Sequence, residues 1–219
     1  MGYTLGLDMS SQKSGYALFE NRKPIKWGAW ELKKDNEEDW RKRIAYMAHH
    51  VSELCDEYDI SHIYVEDVPP TIENAQTVKI LSALQGMIIA VTATRGIDVE
   101  FTSVKTWKNK IGINLTASKE NNACKKRIKE HFGKQSTKPL NTVKGWTKGW
   151  EKKMSVDYAN YTFGLDLVYK SPSSKFNDDD IADALNIAWS KIAEDDLKPY
   201  DLDTFENIMD NFYNLITSG

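Results

Sequence analysis

The chain reads as an α/β protein, a mixed five-stranded sheet with its first three strands antiparallel and helices flanking it. Three observations lead to that class. The first 32 residues hold three short runs rich in β-branched and aromatic residues, separated by turn-prone polar segments. Two helical periodicities follow, and each gives way to a short apolar run of strand length. The resulting order, three strands, helix, strand, helix, strand, suits a mixed sheet with helices on its faces.

The first strand is YTLGLDM; after the turn SSQKS comes GYALFE, and after ENRK comes PIKWGAWEL, so the opening is an antiparallel meander. From about Glu37 to Tyr58 apolar residues recur three or four apart (Trp40, Ile44, Met47, Val51, Leu54), which predicts a helix. HIYVED then reads as a buried strand. Asn74 to about Arg95 predicts a second helix, almost entirely apolar in its latter half, LQGMIIAVTA. Gly96 closes it and IDVEFTS supplies the fifth strand. Beyond Ser103 helical patterns lie near Thr116 to Phe132 and Glu151 to Phe163, and the lysine-rich GKQSTKPLNTVKGWTKG between them reads as a loop or insertion. Asp179 to about Lys191 is an amphipathic helix with Asn177 or Asp178 available as its N-cap. Phe205, Ile208, Met209, Phe212 and Leu215 repeat at helical spacing in an acidic tail. The expected organisation is one domain over 1–193, with a basic insertion near 133–150, and a helical tail over 194–219.

A chain of 219 residues with 41% apolar content can bury one sizeable core. No stretch looks close to the roughly 18 uncharged apolar residues that cross a bilayer. MGYTLGLDMSS shows neither a basic leader nor a cleavage site, so a cytoplasmic protein with no membrane partner is expected. Cys55 and Cys124 lack metal-ligand spacing and read as reduced and structural. The net charge of −3 hides a strong asymmetry. Between Ser103 and Lys153 fourteen Lys or Arg stand against three Glu, with Trp107, Trp146 and Trp150 interleaved, whereas from Glu194 onward seven acids face Lys198 alone. Basic residues with aromatics suit a phosphate backbone and stacked bases; a solvated helix face with core tryptophans is the plainer reading.

Four acids stand out. Asp8 interrupts the first strand after Leu5 and Leu7, and Glu66 ends the apolar run IYV. Asp180 and Asp183 are three apart, hence on one helix face, which also carries Ala184 and Ile187. Carboxylates facing a core must be protonated, paired or bound to a cation. Singly, Asp8 could begin a turn, Glu66 could cap a strand, and the run Asp178 to Asp180 could complement a helix dipole. Jointly, an oxygen-only set without His or Cys favours a hard cation, Mg²⁺ with Mn²⁺ as substitute, rather than zinc. Two such ions about 3.5 to 4 Å apart serve phosphodiester hydrolysis.

GLDMSSQKSGYALFE resembles the first hairpin of RuvC-type Holliday junction resolvases, with Asp8, Ser11, Gly15 and Tyr16 in the matching places. YVEDV resembles the strand that bears their second acid, NAQTVKILSALQGMIIAV the following helix, including Asn74, Gln85 and Gly86, and SVKTW their Val-Lys motif, giving Lys105. DDDIADALNIAW resembles their final acidic helix. The resemblance, over about Tyr3 to Trp189, implies a ribonuclease H-like fold and a homodimer that makes paired nicks in four-way or other branched DNA, leaving 5′-phosphate ends, as in bacteriophage-type members. It implies Asp8, Glu66, Asp180 and Asp183 as catalytic residues and ligands of two ions per site. DNA contacts are expected from Ser11, Lys13, Lys105, Lys119, Lys125, Lys126, Arg127, Lys152 and Lys153, with Lys119, Lys152 or Lys153 as a second active-site lysine. One departure is Pro69, where bacterial members carry an aromatic suited to wedging between bases. The alternatives are a sugar-kinase or actin-like ATPase, for which the 12 glycines show no second phosphate loop; a junction-binding protein without catalysis; and a ribonuclease H-like enzyme acting on RNA or simple flaps.

Overall fold

The computed structural model describes residues 2–69, 72–114, 141–170 and 174–200, and for 141–150 the backbone alone. The expected helix near Thr116 to Phe132, the acidic tail from residue 201, and Cys124 therefore lie outside the described residues. The chain divides into two compact units, one of Met1–Trp107 with Asp180–Leu197 and the other of Lys108–Asp179 with Lys198–Gly219.

The first unit holds a five-stranded sheet in the order β3-β2-β1-β4-β5. Strands β1 (Tyr3–Asp8), β2 (Lys13–Glu20) and β3 (Lys23–Glu31) form the antiparallel meander, and β4 (Ile60–Glu66) and β5 (Asp98–Thr102) add in parallel beside β1. Helix α1 (Trp40–Glu57) leads from β3 to β4, and α2 (Ala75–Ala93) connects the parallel β4 and β5. Each starts on a side-chain cap: Asp39 accepts from the Arg41 N–H at 2.9 Å, and Asn74 from the Thr77 N–H at 3.0 Å. Gly96, at φ 66°, turns the chain after α2.

Alternation along the strands sends Leu5, Leu7, Ile63 and Val65 to one side of the sheet, where they are at most 1% exposed and form a core with Val51, Leu54 and Ile88 of α1 and α2. The other side of β1 and β2 carries small residues, and α5 (Asp179–Ile192) lies on it. A Cβ on Gly6 would stand 2.2 Å from the Ala184 carbonyl oxygen, and one on Gly15 only 1.8 Å from that of Asp180. Glycine is what lets the helix backbone come this close.

Two expectations need correction. The segment read as a loop or insertion over 133–150 is no loop from Asn141 onward, because α4 runs Asn141–Phe163. And α2 is long and apolar enough, by length and composition, to cross a membrane, contrary to the expectation that no stretch approaches this. Leu84, Ile88 and Thr92 turn one side of it into the core. Its outer side is exposed, with Lys79 near its start and the uncharged Ser82, Gly86, Ile89, Ala90 and Ala93 beyond it. The SVKTW motif, for which no element was expected, opens a short helix, α3 (Val104–Lys110).

In the second unit Ile111, Ile113, Met154, Val156, Tyr158 and Ala159 are buried. The Tyr200 N–H donates to the Ile111 carbonyl at 3.0 Å, and the Tyr158 hydroxyl to that of Lys198 at 3.0 Å. The two residues expected as the α5 N-cap tie down the segment before it: Asn177 accepts from the Lys170 N–H at 2.9 Å and Asp178 from the Val168 N–H at 2.8 Å.

Candidate active site

The site is built where β1 and β4 end. Their parallel register runs to the pair Leu7 and Val65, so the next residues, Asp8 and Glu66, end adjacent strands, which lie about 4.8 Å apart in a sheet. Leu7 and Val65 face α1 and α2, so both acids face the opposite, α5 side. On β2 the residue opposite Asp8 is Gly15, and against Gly15 rests the backbone of Asp180. Asp183 follows one helical turn later. The sheet register and two residues without side chains thus bring acids from distant parts of the sequence to one end and one face of the sheet.

Neighbouring side chains hold Asp180 and Glu66. Lys13 pairs with Asp180, Nζ to Oδ2 at 2.7 Å, both side chains about a quarter exposed. Trp107 Nε1–H donates to Glu66 Oε2 at 3.1 Å, from an indole with no exposed surface. Among the described residues no three His, Cys, Asp or Glu side chains stand at ion-holding spacing, so the acids share a location without forming a closed metal cage. As donors they suit a hard, oxygen-seeking divalent cation.

The turn that carries Ser11 and Lys13 is stiff. Ser10 Oγ accepts from the Lys13 N–H at 3.0 Å and donates to the Lys13 carbonyl at 2.7 Å, while Ser14 Oγ donates to the Ser10 carbonyl at 2.7 Å. Arg43, 5% exposed on α1, donates from Nε to the Ser11 carbonyl at 3.1 Å and from Nη1 to the Glu37 and Glu38 carbonyls at 2.6 and 2.9 Å. Asp8 and Lys13 are thereby held at either end of a fixed loop.

Of the other residues expected to meet DNA, Lys105 is exposed on the first turn of α3. Lys152 is paired with Asp179, which is 6% exposed, and Lys153 with Asp157 at 2.5 Å. Lys119, Lys125, Lys126 and Arg127 lie outside the described residues. Burial decides between the two readings for Trp107: an indole so deeply buried cannot stack on bases, so the plainer core reading holds for it, and it serves Glu66. Sequence reasoning missed Arg43 and the pairing of Asp67 with Gln85, in which Gln85 Nε2–H donates to Asp67 Oδ1 at 2.8 Å. In the sequence Gln85 and Gly15 stand out only as parts of motifs, with no role attached.

A sheet of this order, with its acids at the ends of β1 and β4 and at the start of a helix laid across it, defines a ribonuclease H-like protein. Among solved structures, Thermus thermophilus RuvC is similar at a TM-score of 0.55 and 14% identity, over 88% of this chain and 95% of that one. T. thermophilus RuvC in complex with Holliday junction substrate is similar at 0.58 and 10% identity, over the same shares. No curated protein matches the sequence significantly. The family model of crossover junction endodeoxyribonuclease RuvC matches residues 4–130, more than half of the chain, and the chain belongs to that family. Membership decides for a crossover junction endodeoxyribonuclease over the ATPase alternative.

Proposed function

We propose that this endonuclease resolves four-way DNA junctions by phosphodiester hydrolysis at a site composed of Asp8, Glu66, Asp180 and Asp183, with Mg²⁺ or Mn²⁺ as cofactor. The observation that carries the reading is the register that puts Asp8 beside Glu66, with Asp180 backed onto Gly15 opposite them. Such carboxylates would hold two divalent ions, which supply an activated water and stabilise the leaving oxygen. The protein's own part is orientation and charge. Trp107 fixes the Glu66 carboxylate by one of its oxygens. Lys13 lends Asp180 a positive charge, and in the DNA complex it is expected to turn from Asp180 to a phosphate. Lys105, exposed beside the site on α3, offers a further phosphate contact.

A four-way junction has two strands to cut, which calls for two sites. The exposed outer side of α2, uncharged from Ser82 to Ala93, supports a homodimer, since such a surface fits a second copy better than water. A similar structure determined with a Holliday junction substrate supports the choice of substrate.

The test is cleavage of end-labelled four-way junction, flap, duplex and RNA–DNA hybrid in Mg²⁺, in Mn²⁺ and in chelator. Paired, metal-dependent nicks confined to the four-way junction are expected. Asp8→Asn, Glu66→Gln and Asp183→Asn should each abolish cutting while junction binding persists. Equal cutting of flaps would make the enzyme a general debranching nuclease, and normal cutting by any one variant would remove that acid from the site.

A further inference from the structure

Glu66 is the last residue of β4, and strand ends are where a ladder opens first. It lies in register with Thr102 of β5, and the next N–H, that of Asp67, donates to the Thr102 carbonyl at 2.8 Å. Two residues further on stands Pro69, which has no N–H with which to add a rung. The carboxylate of Asp67 takes over there: its Oδ1 accepts from the Val68 N–H and from Gln85 Nε2–H, each at 2.8 Å. We infer that Gln85 is a positioning residue for cleavage, which holds Glu66 in place through Asp67; the inference rests on the reading of Glu66 as one of the metal-holding acids.

Gln85 is a firm anchor because of where it stands. It lies midway along α2 between Leu84 and Ile88, whose side chains are buried, so the helix behind its amide cannot drift. A carboxylate only accepts, so the amide turns its nitrogen to Asp67, and the bond is charge-assisted. Glu66 is therefore gripped twice. Trp107 Nε1–H fixes the head of its side chain at Oε2, while Asp67, tied to β5 by its N–H and to α2 by its carboxylate, fixes its backbone. The two grips depend on each other, because an indole can orient a carboxylate only if the Cα behind that carboxylate stays put. A slip of β4 by one residue would carry Glu66 to the opposite side of the sheet, away from Asp8. Smaller movements would still misplace an oxygen whose task is to meet a metal ion.

The experiment measures single-turnover cutting of a four-way junction at saturating Mg²⁺ and junction affinity in chelator, all well below each variant's melting temperature. The variants are Gln85→Met, which keeps the length of the side chain and removes its donor; Asp67→Ala; the two together; and Asp67→Asn, which keeps an acceptor oxygen. Gln85→Met and Asp67→Ala should each slow cutting about tenfold, the lower end for a group that orients a metal ligand from behind, while junction affinity stays unchanged. The double variant should cut no more slowly than either one alone, because both substitutions remove the same tie. Asp67→Asn should cut at nearly the wild-type rate. Wild-type cutting by Gln85→Met, losses that multiply in the double variant, a loss shared equally by Asp67→Asn, or a loss in affinity rather than in rate would each overturn the inference. A Glu66→Gln variant that cuts normally would instead overturn the reading of Glu66 on which it rests, and a wild type that cuts no junction would overturn the nuclease reading itself, and this inference with it.

Discussion

Arg43 shows what a single buried side chain contributes. Its guanidinium is spent entirely on backbone carbonyls, those of Ser11, Glu37 and Glu38. Arg43→Ala would leave them without their donor, and about 3 kcal/mol of stability should be lost in urea unfolding. Tyr169 sets the response to alkali. Burial first, then the carboxylates of Asp179 and Asp157, push its phenol well above the ordinary 10.0. The folded protein thus holds that proton more tightly than the unfolded chain does. The resulting stability is full below pH 10 and is lost as pH rises above it, so the melting temperature should start to fall there, and Tyr169→Phe should soften the fall. The acids were readable from sequence because each breaks an apolar pattern. Arg43, Trp107 and Gln85 were not, because what they do depends on partners that sequence spacing does not show.

The contact between α5 and the sheet leaves no room for a side chain at Gly6 or Gly15. Gly15→Ala would put a methyl group 1.8 Å from the Asp180 carbonyl oxygen, a backbone atom that can retreat only with its helix. About 3 kcal/mol of destabilisation is expected in urea unfolding, and junction cutting should fall further than stability alone explains, because Asp180 moves away from Lys13. The meander, α1, α2 and α5 were legible because their apolar residues keep a clear period of two or of 3.6. At seven residues α3 is too short to display a period. The start of α4 was hidden by Gly145 and Gly149, each costing a helix about 1 kcal/mol relative to Ala, although Trp146, Trp150 and Met154 recur there every fourth residue.

For the molecule as a whole, a cation that binds only the folded state should stabilise it. Millimolar Mg²⁺ or Mn²⁺ is expected to raise the melting temperature by about 5 °C or more once well above its dissociation constant, and Asp8→Asn should blunt the rise. An unchanged melting temperature would count against carboxylates grouped to hold a metal. Composition alone would have misled at this scale, since the net charge of −3 conceals a basic middle and an acidic end. The order of the chain carries a different consequence. β1, which ends in Asp8, is the middle strand of its sheet, while α5, which brings Asp180, comes about 170 residues later. A copy emerging from the ribosome therefore carries a bare strip of backbone along Gly6 and Gly15 until residues through Ile192 are made. An unfinished copy lacks half of its acids, so synthesis itself delays the moment at which this chain becomes able to break DNA.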